Sequence, residues 1–292
     1  MTNPSLPLAH ELIRTACSAP SVHNTQPWSW RVLDAATIEL YADRSRQLLA
    51  IDPGGRDLAI SCGAALHHMV VAAEAFGLCA EVVLLPLREN TELLARTHIT
   101  PGRIETESVD MLAALEDRLT DRRGFSTWDV PATRLSNLCE AAAGWGAQAL
   151  PLTDPWVRHR TEELLEQARR TQAADPQITE EQRIWTDSLD SEAAKGIPTE
   201  NTAPRPRAGT THRPSRFEPL HKPASAGVHT EDGPQPDPTD GLVAICTTRD
   251  DLRAWLQAGQ AMSAVCGPGC ASQTTIGEFS APARAVAAIY RG

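Results

Sequence analysis

The sequence predicts an α+β fold in which antiparallel strands lie against buried helices and one order of elements occurs twice. Three observations predict it. Arg56 to Phe76 is apolar nearly all round, which marks a central buried helix rather than a surface one. Upstream, Trp28 to Leu33 and Thr37 to Tyr41 read as the two strands of a hairpin, with Asp34-Ala35-Ala36 as the turn. Downstream, a second series repeats the order helix, strand, buried helix. Its last helix carries Gly259-Gln260-Ala261-Met262, which matches Gly63-Ala64-Ala65-Leu66 as Gly-x-Ala-apolar.

The elements follow in order. Leu8 to Cys17 reads as a short helix. The buried helix ends at Gly77, and Ala80 to Leu85 is a strand stopped by Pro86. Glu107 to Leu119 is an amphipathic helix. The second series comprises a helix over Arg134 to Ala143, a strand over Ala147 to Leu152 and a long charged helix over Trp156 to Ala174. A strand over Leu242 to Thr247 and a helix over Asp250 to Val265 complete it. Two halves are therefore expected, 1–106 and 107–292. The segment 193–240 is rich in Pro, Gly, Thr and charge, and so long a stretch without regular structure suits a lid or linker, or a surface loop. Cys266-Gly267-Pro268-Gly269-Cys270 is expected to stop the last helix and to open an atypical C-terminal segment, 266–292.

Composition narrows the function. The 292 residues can bury a core without a covalent or metal staple. Lys and Arg number 27 against 37 Asp and Glu, a net charge of -10. That balance excludes a nucleic-acid surface and requires any anion site to be a local basic cluster. The seven cysteines are scattered, odd in number and mostly in apolar segments, as expected of reduced thiols in a cytosolic protein. No second pair at zinc-like spacing accompanies Cys266 and Cys270, so no metal is expected. Met1 to His10 lacks the basic-then-apolar pattern of a secretory signal. No apolar run reaches the roughly 18 residues of a membrane span. Ile60 to Leu78 comes nearest and is interrupted by His67, His68 and Glu74. The expected location is cytoplasmic, with neither nucleic acid nor membrane as partner.

Two segments carry candidate chemistry. The first is Ala19-Pro20-Ser21-Val22-His23-Asn24-Thr25-Gln26-Pro27-Trp28, between the first helix and the first strand. Prolines stiffen both ends, and short polar side chains stand between them. On the residues alone this suits either a polar turn or a surface whose donors and acceptors meet a planar heterocycle. The second is Arg118-Leu119-Thr120-Asp121-Arg122-Arg123. In an extended segment residues 118, 120 and 122 share one face. Two guanidiniums and a hydroxyl there suit a phosphate site, or a solvated basic turn. Arg56 opens the buried helix, where a cation is unfavourable to the helix dipole, so a salt bridge to Asp52 or Asp57 is expected. One of His67 and His68 is expected to be a hydrogen-bonded core histidine.

With Asp52-Pro53-Gly54-Gly55-Arg56 and Ser61-Cys62-Gly63-Ala64-Ala65-Leu66 downstream, the first segment resembles the flavin-facing loop of the nitroreductase superfamily, A-P-S-x-x-N-x-Q-P-W. The wording resembles most closely the actinobacterial Acg-like branch, single chains with two nitroreductase-like halves. The resemblance covers residues 8–264 and is strongest at 19–28 and 54–66. It implies a nitroreductase-like fold, an FMN cofactor, NAD(P)H as electron donor and a nitroaromatic or quinone-like small molecule as acceptor. It also implies chemistry that belongs to the flavin, with no catalytic side chain. Storage of FMN without turnover, or a truncated pseudoenzyme, is the alternative. The family holds the FMN phosphate with R-x-S-x-R. Arg118, Thr120 and Arg122 match it with Thr for Ser, and Phe125 and Pro131 follow at nearly the family distances.

In family dimers one subunit supplies the phosphate contacts and the other the A-P-S-x-x-N contacts. Here the flavin-facing loop occurs only in the first half. The corresponding place in the second reads Ala142-Ala143-Gly144-Trp145-Gly146-Ala147-Gln148. The resemblance thus implies one composite FMN site in a monomer that mimics the dimer. Arg118, Thr120 and Arg122 would hold the phosphate, and Pro20, Ser21, His23 and Asn24 would face the ring system. Gln26 and Trp28 would support the loop.

Overall fold

The computed structural model describes residues 2–87, 89–118, 131–186, 195–197, 242–271 and 284–286. The first helix, α1 (Leu6–Ala16), starts at Ser5, whose hydroxyl accepts from the Leu8 N–H. Strands β1 (Trp28–Asp34) and β2 (Thr37–Ala42) form the expected hairpin, with Trp30 opposite Leu40. The central helix α2 (Arg56–Ala75) is followed by β3 (Leu78–Leu84), β4 (Leu93–Pro101) and α3 (Thr106–Asp117). These four strands make an antiparallel sheet in the order β1-β2-β4-β3. Strand β4 was not expected from the sequence, because its buried face runs through Thr97 and its middle carries Arg96. Arg96 is satisfied across the sheet by Glu39 at 2.7 Å, and Glu39 also accepts from the Tyr41 hydroxyl at 2.7 Å.

The second series begins with α4 (Ala132–Ala143) and β5 (Gln148–Pro151) and continues with α5 (Pro155–Ala173) and α6 (Pro176–Thr186). It closes with β6 (Leu242–Cys246), α7 (Leu252–Ala271) and β7 (Arg284–Val286). In a separate sheet, β6 pairs antiparallel with β5 and parallel with β7. Helix α6 was also unexpected, since Thr186 is the only buried residue in it. One expectation is corrected: Cys266 to Cys270 does not stop α7, which runs on to Ala271. A proline inside a helix removes one backbone bond and crowds the carbonyl four residues before it, a cost of about 3 kcal/mol that the packing of the preceding turns offsets here. The turns before it are gripped by α2 and α4.

The matched tetrapeptides meet where α2 crosses α7. A methyl added at Gly63 would overlap the backbone carbonyl of Leu256 and lie 3.1 Å from the Gly259 Cα. A methyl added at Gly259 would overlap the carbonyl of Ile60 and lie 3.0 Å from the Ala64 nitrogen. Each glycine therefore seats the carbonyl of the residue three positions before the other, a reciprocal contact with twofold character. The cores are exchanged in the same way. Ile60 of α2 packs with Leu138, Val243 and Ile245 of the second series, and Leu256 of α7 packs with Leu12, Leu40 and Leu66 of the first. Four residues beyond the glycines, His67 Nδ1 and Ser263 Oγ are 2.9 Å apart, and the His67 ring stands edge-on to Trp145. Burial, with the neighbouring His68, lowers His67 to about 3, so it is a neutral core group. Helix α2 has the length and hydropathy of a membrane span, but 94% of that window lies inside this fold.

Asp52 begins α2. Its two carboxylate oxygens accept from the backbone N–H groups of Arg56 and Leu58, at 2.8 and 2.9 Å. Asp57, in the first turn, is pushed up to about 6 by burial first, then by the Asp52 charge, with Arg56 opposing. The folded chain therefore holds a proton that the unfolded chain has lost between roughly pH 4 and 6. Stability from that proton is present below the unfolded value and is lost as pH rises through the folded one.

Two outcomes follow from this packing. In urea unfolding, Gly63→Ala should cost about 3 kcal/mol or more, because both obstructing groups are backbone. Gly54→Ala, with open space around the added methyl, should stay within about 0.5 kcal/mol. Asp57→Asn should stabilise the chain by on the order of 2 kcal/mol near pH 8 and change it little near pH 4. The urea midpoint of wild type and variant across that range checks the sign.

Candidate functional site

The stretch between α1 and β1 is a tightly tied loop. Val22–Asn24 makes one 3-10 turn, and His23, Asn24 and Gln26 all have positive φ, at 44°, 55° and 50°. Left-handed backbone costs an ordinary residue about 1 kcal/mol or more, so a loop with three such residues needs external support. Ser21 Oγ accepts from the Gln26 N–H at 3.0 Å, and Arg46 donates to the Gln26 carbonyl at 2.6 Å. Helix α2 supplies the remaining ties. Ser61 Oγ accepts from the Val22 N–H at 3.1 Å, and the Cys62 thiol donates to the Pro27 carbonyl at 3.3 Å. Burial raises that thiol far above its ordinary range, which keeps it a neutral donor.

The structure places the predicted site residues as follows. Pro20, Ser21, His23 and Asn24 are all half-buried on this loop. Trp28 is buried and Gln26 is bonded within the loop, as the supporting role requires. Asn24 exchanges two bonds with Gly196: its side-chain amide donates to the Gly196 carbonyl at 3.0 Å, and the Gly196 N–H donates to its carbonyl at 3.2 Å. The beginning of the Pro-rich segment thus lies on the loop. Ile197 donates onward to the Trp185 carbonyl at 2.8 Å, and Glu181 accepts from the Ala50 and Ile51 N–H groups at 3.0 and 2.9 Å. Helix α6 is therefore anchored on the first series.

Arg118 caps α3 in an extended conformation and donates to the Ser18 carbonyl at 3.2 Å. This joins the two candidate segments, which stand 100 residues apart in sequence. Thr120 and Arg122, with Arg123 and Phe125, lie outside the described residues. Below Ser18 lies His68, fully buried, with Nδ1 at 3.3 Å from Ser18 Oγ. Burial lowers His68 to about 3, and the Arg118 charge adds to the shift while the Thr15 backbone opposes it. Both central histidines are thus hydrogen-bonded core groups, where one was expected.

Arg56 corrects another expectation. Its guanidinium pairs with neither Asp52 nor Asp57 but with both oxygens of Asp250, at 2.9 and 3.0 Å. The Trp255 indole donates to Asp250 at 2.7 Å, and Arg56 lies 5.6 Å from the Trp255 ring centre. The helix-start arginine ties α2 to the segment leading into α7.

Sequence reasoning missed Ser18, Arg46, His68 and Gly196 as parts of this arrangement. A signal existed for His68: Ser61 and His68 stand seven apart on an apolar helix, hence on one face. Nothing in the sequence singles out Gly196.

No family profile matches the chain. Over 260 residues it is 34% identical to "Putative NAD(P)H nitroreductase Rv3131" of Mycobacterium tuberculosis, covering 87% of this chain and 72% of that protein. A second Mycobacterium tuberculosis protein, "Putative NAD(P)H nitroreductase acg", is 37% identical over 127 residues, 42% of this chain and 38% of that one. Among solved structures, a nitroreductase family protein from Streptococcus pneumoniae matches with a TM-score of 0.27 and 16% identity, over 46% of this chain and 90% of that one. That superposition is too loose to bear on the fold. The identity to the first relative, over most of both chains, establishes that this chain is a member of the nitroreductase superfamily.

Proposed function

We propose that the chain is an FMN-dependent oxidoreductase of nitroreductase type, taking hydride from NAD(P)H and reducing a nitroaromatic or quinone-like small molecule. The carrying observation is the bond from Arg118 to the Ser18 carbonyl, which puts a guanidinium at the entrance of the flavin-facing loop. The donor set suits the group. Arg118 offers the charge and fork geometry that a phosphate needs, and Thr120 and Arg122 would complete the grip. Pro20, Ser21, His23 and Asn24 form a preformed wall for the ring system, held in shape by bonds from α2 and Arg46. A preformed wall orients a ligand without an ordering cost at the moment of binding. When bound, FMN supplies the hydride acceptance and delivery. The chain binds and orients it, and no side chain is assigned as acid or base.

One site per chain is the stoichiometry this reading requires. Ser61, two residues before Gly63, supports the loop at Val22. Gln257, two residues before Gly259, instead packs directly against Gly146, at the corresponding place of the second series. A side chain there supports a single composite site in a monomer that packs internally what family dimers pack between subunits. FMN sequestration without turnover is the second reading, and the pair of hydrogen bonds between Asn24 and Gly196 favours it by covering part of the loop.

The purified chain should be yellow, with about one FMN per chain, and should bleach on NAD(P)H. Bleaching supports the enzyme, bound flavin that does not bleach supports sequestration, and a folded chain that takes up no FMN refutes both. Arg118→Ala combined with Arg122→Ala should weaken FMN binding on the order of 100-fold, as two charge-assisted contacts are lost. Unchanged affinity in the double variant refutes the phosphate assignment.

A further inference from the structure

Among the described residues, His68 is the one buried imidazole whose hydrogen bond leads out of the core to the candidate site. Its ring is fully buried, yet its partner Ser18 is exposed. The Ser18 hydroxyl has a single proton, and the Thr15 carbonyl receives it at 2.7 Å. At 3.3 Å the contact with His68 Nδ1 then requires the ring to donate. A neutral histidine that donates from Nδ1 has a bare Nε2, and no hydrogen bond reaches Nε2 among the described residues. The bonds therefore run in one direction, from His68 Nδ1–H to the Ser18 hydroxyl and on to the Thr15 carbonyl. They fix the Ser18 side chain at the point where its own carbonyl takes the Arg118 guanidinium at 3.2 Å.

We propose that His68 is a positioning residue that acts through Ser18 to hold Arg118 against the flavin-facing loop, an assignment that rests on the FMN reading above. The chemistry is specific. Helix α2 is rigid because it is buried on all sides, and Ser18 lies on an exposed turn. A hydrogen bond from the first to the second transfers the register of the core to the loop end. The ring must stay neutral and carry its proton on Nδ1. Asparagine can imitate this arrangement, because its amide nitrogen stands where Nδ1 stands in histidine. Leucine fills the space and cannot donate.

Three variants, Ser18→Ala, His68→Leu and His68→Asn, are titrated with FMN and unfolded in urea as the FMN-free chain. Ser18→Ala and His68→Leu should raise the FMN dissociation constant about three- to tenfold, the loss of one directing hydrogen bond. His68→Asn should restore it to within about twofold of wild type. Ser18→Ala leaves the buried Nδ1–H of His68 without its acceptor and should lower the urea midpoint. FMN is therefore titrated where every variant is folded, and rescue by His68→Asn separates positioning from folding. Equal affinity in Ser18→Ala and wild type overturns the proposal, as does a His68→Asn variant no better than His68→Leu. Should His68→Leu fail to fold, Ser18→Ala and His68→Asn decide alone.

Nitrogen NMR of the FMN-free chain gives a readout that needs no flavin. His68 should show the Nδ1–H tautomer in wild type and lose that preference in Ser18→Ala. An Nε2–H tautomer in wild type overturns the proposal. A wild-type chain that binds no FMN but shows the Nδ1–H tautomer and its loss in Ser18→Ala refutes the flavin reading and upholds the link from His68 to Ser18.

Discussion

The close crossing of α2 and α7 is the constraint on which the rest of the structure depends. Two helices can bring their backbones this near only where both lack a side chain, and Gly63 and Gly259 supply that on each partner. From this contact the remaining packing follows. Ile60 and Leu256 are carried across into the opposite cores, so neither core is complete without the other helix. His67 and Ser263 come within bonding distance just beyond the glycines, and Arg56 meets Asp250 just before them. The crossing thus fixes which residues of the two series face each other at both ends.

The polar residues inside α2 read differently once this is seen. An apolar helix tolerates a polar side chain in its interior only where a partner compensates the lost solvation. Ser61, Cys62 and His68 find their partners on the loop between α1 and β1, and His67 finds its partner on α7. The helix therefore serves both as core and as template. Three of its four interior polar groups are spent on holding a loop whose backbone would otherwise relax out of the left-handed region. Rigidity reaches the candidate site through these few bonds.

Much of the fold was legible in the sequence because its largest elements have pure patterns. The continuous apolar surface of 56–76, the alternating hairpin of 28–41 and the Gly-x-Ala-apolar match each encode a local requirement that survives in the structure. Strand β4 was not legible, since the ion pair between Arg96 and Glu39 lies on the partly buried face and breaks the alternation. Helix α6 was not legible either, because a carboxylate reaching two backbone N–H groups holds it, rather than an apolar stripe. At the site, the two segments were visible but not their junction. The Arg118–Ser18 bond is a meeting of side chain and backbone, and backbone carbonyls leave no trace in a sequence. Arg56 illustrates the opposite error: its nearest acids in sequence were the natural candidates, and the fold brought a distant one closer.

Because Gly63 and Gly259 belong to the same polypeptide, their contact is a first-order event. Dilution does not act on this contact as it acts on one between separate subunits. A twofold made from identical chains must repeat every residue on both sides of its axis. A twofold drawn within one chain carries no such obligation, and Ser61 and Gln257 already differ across it. Each side of the axis is thereby free to change without its counterpart.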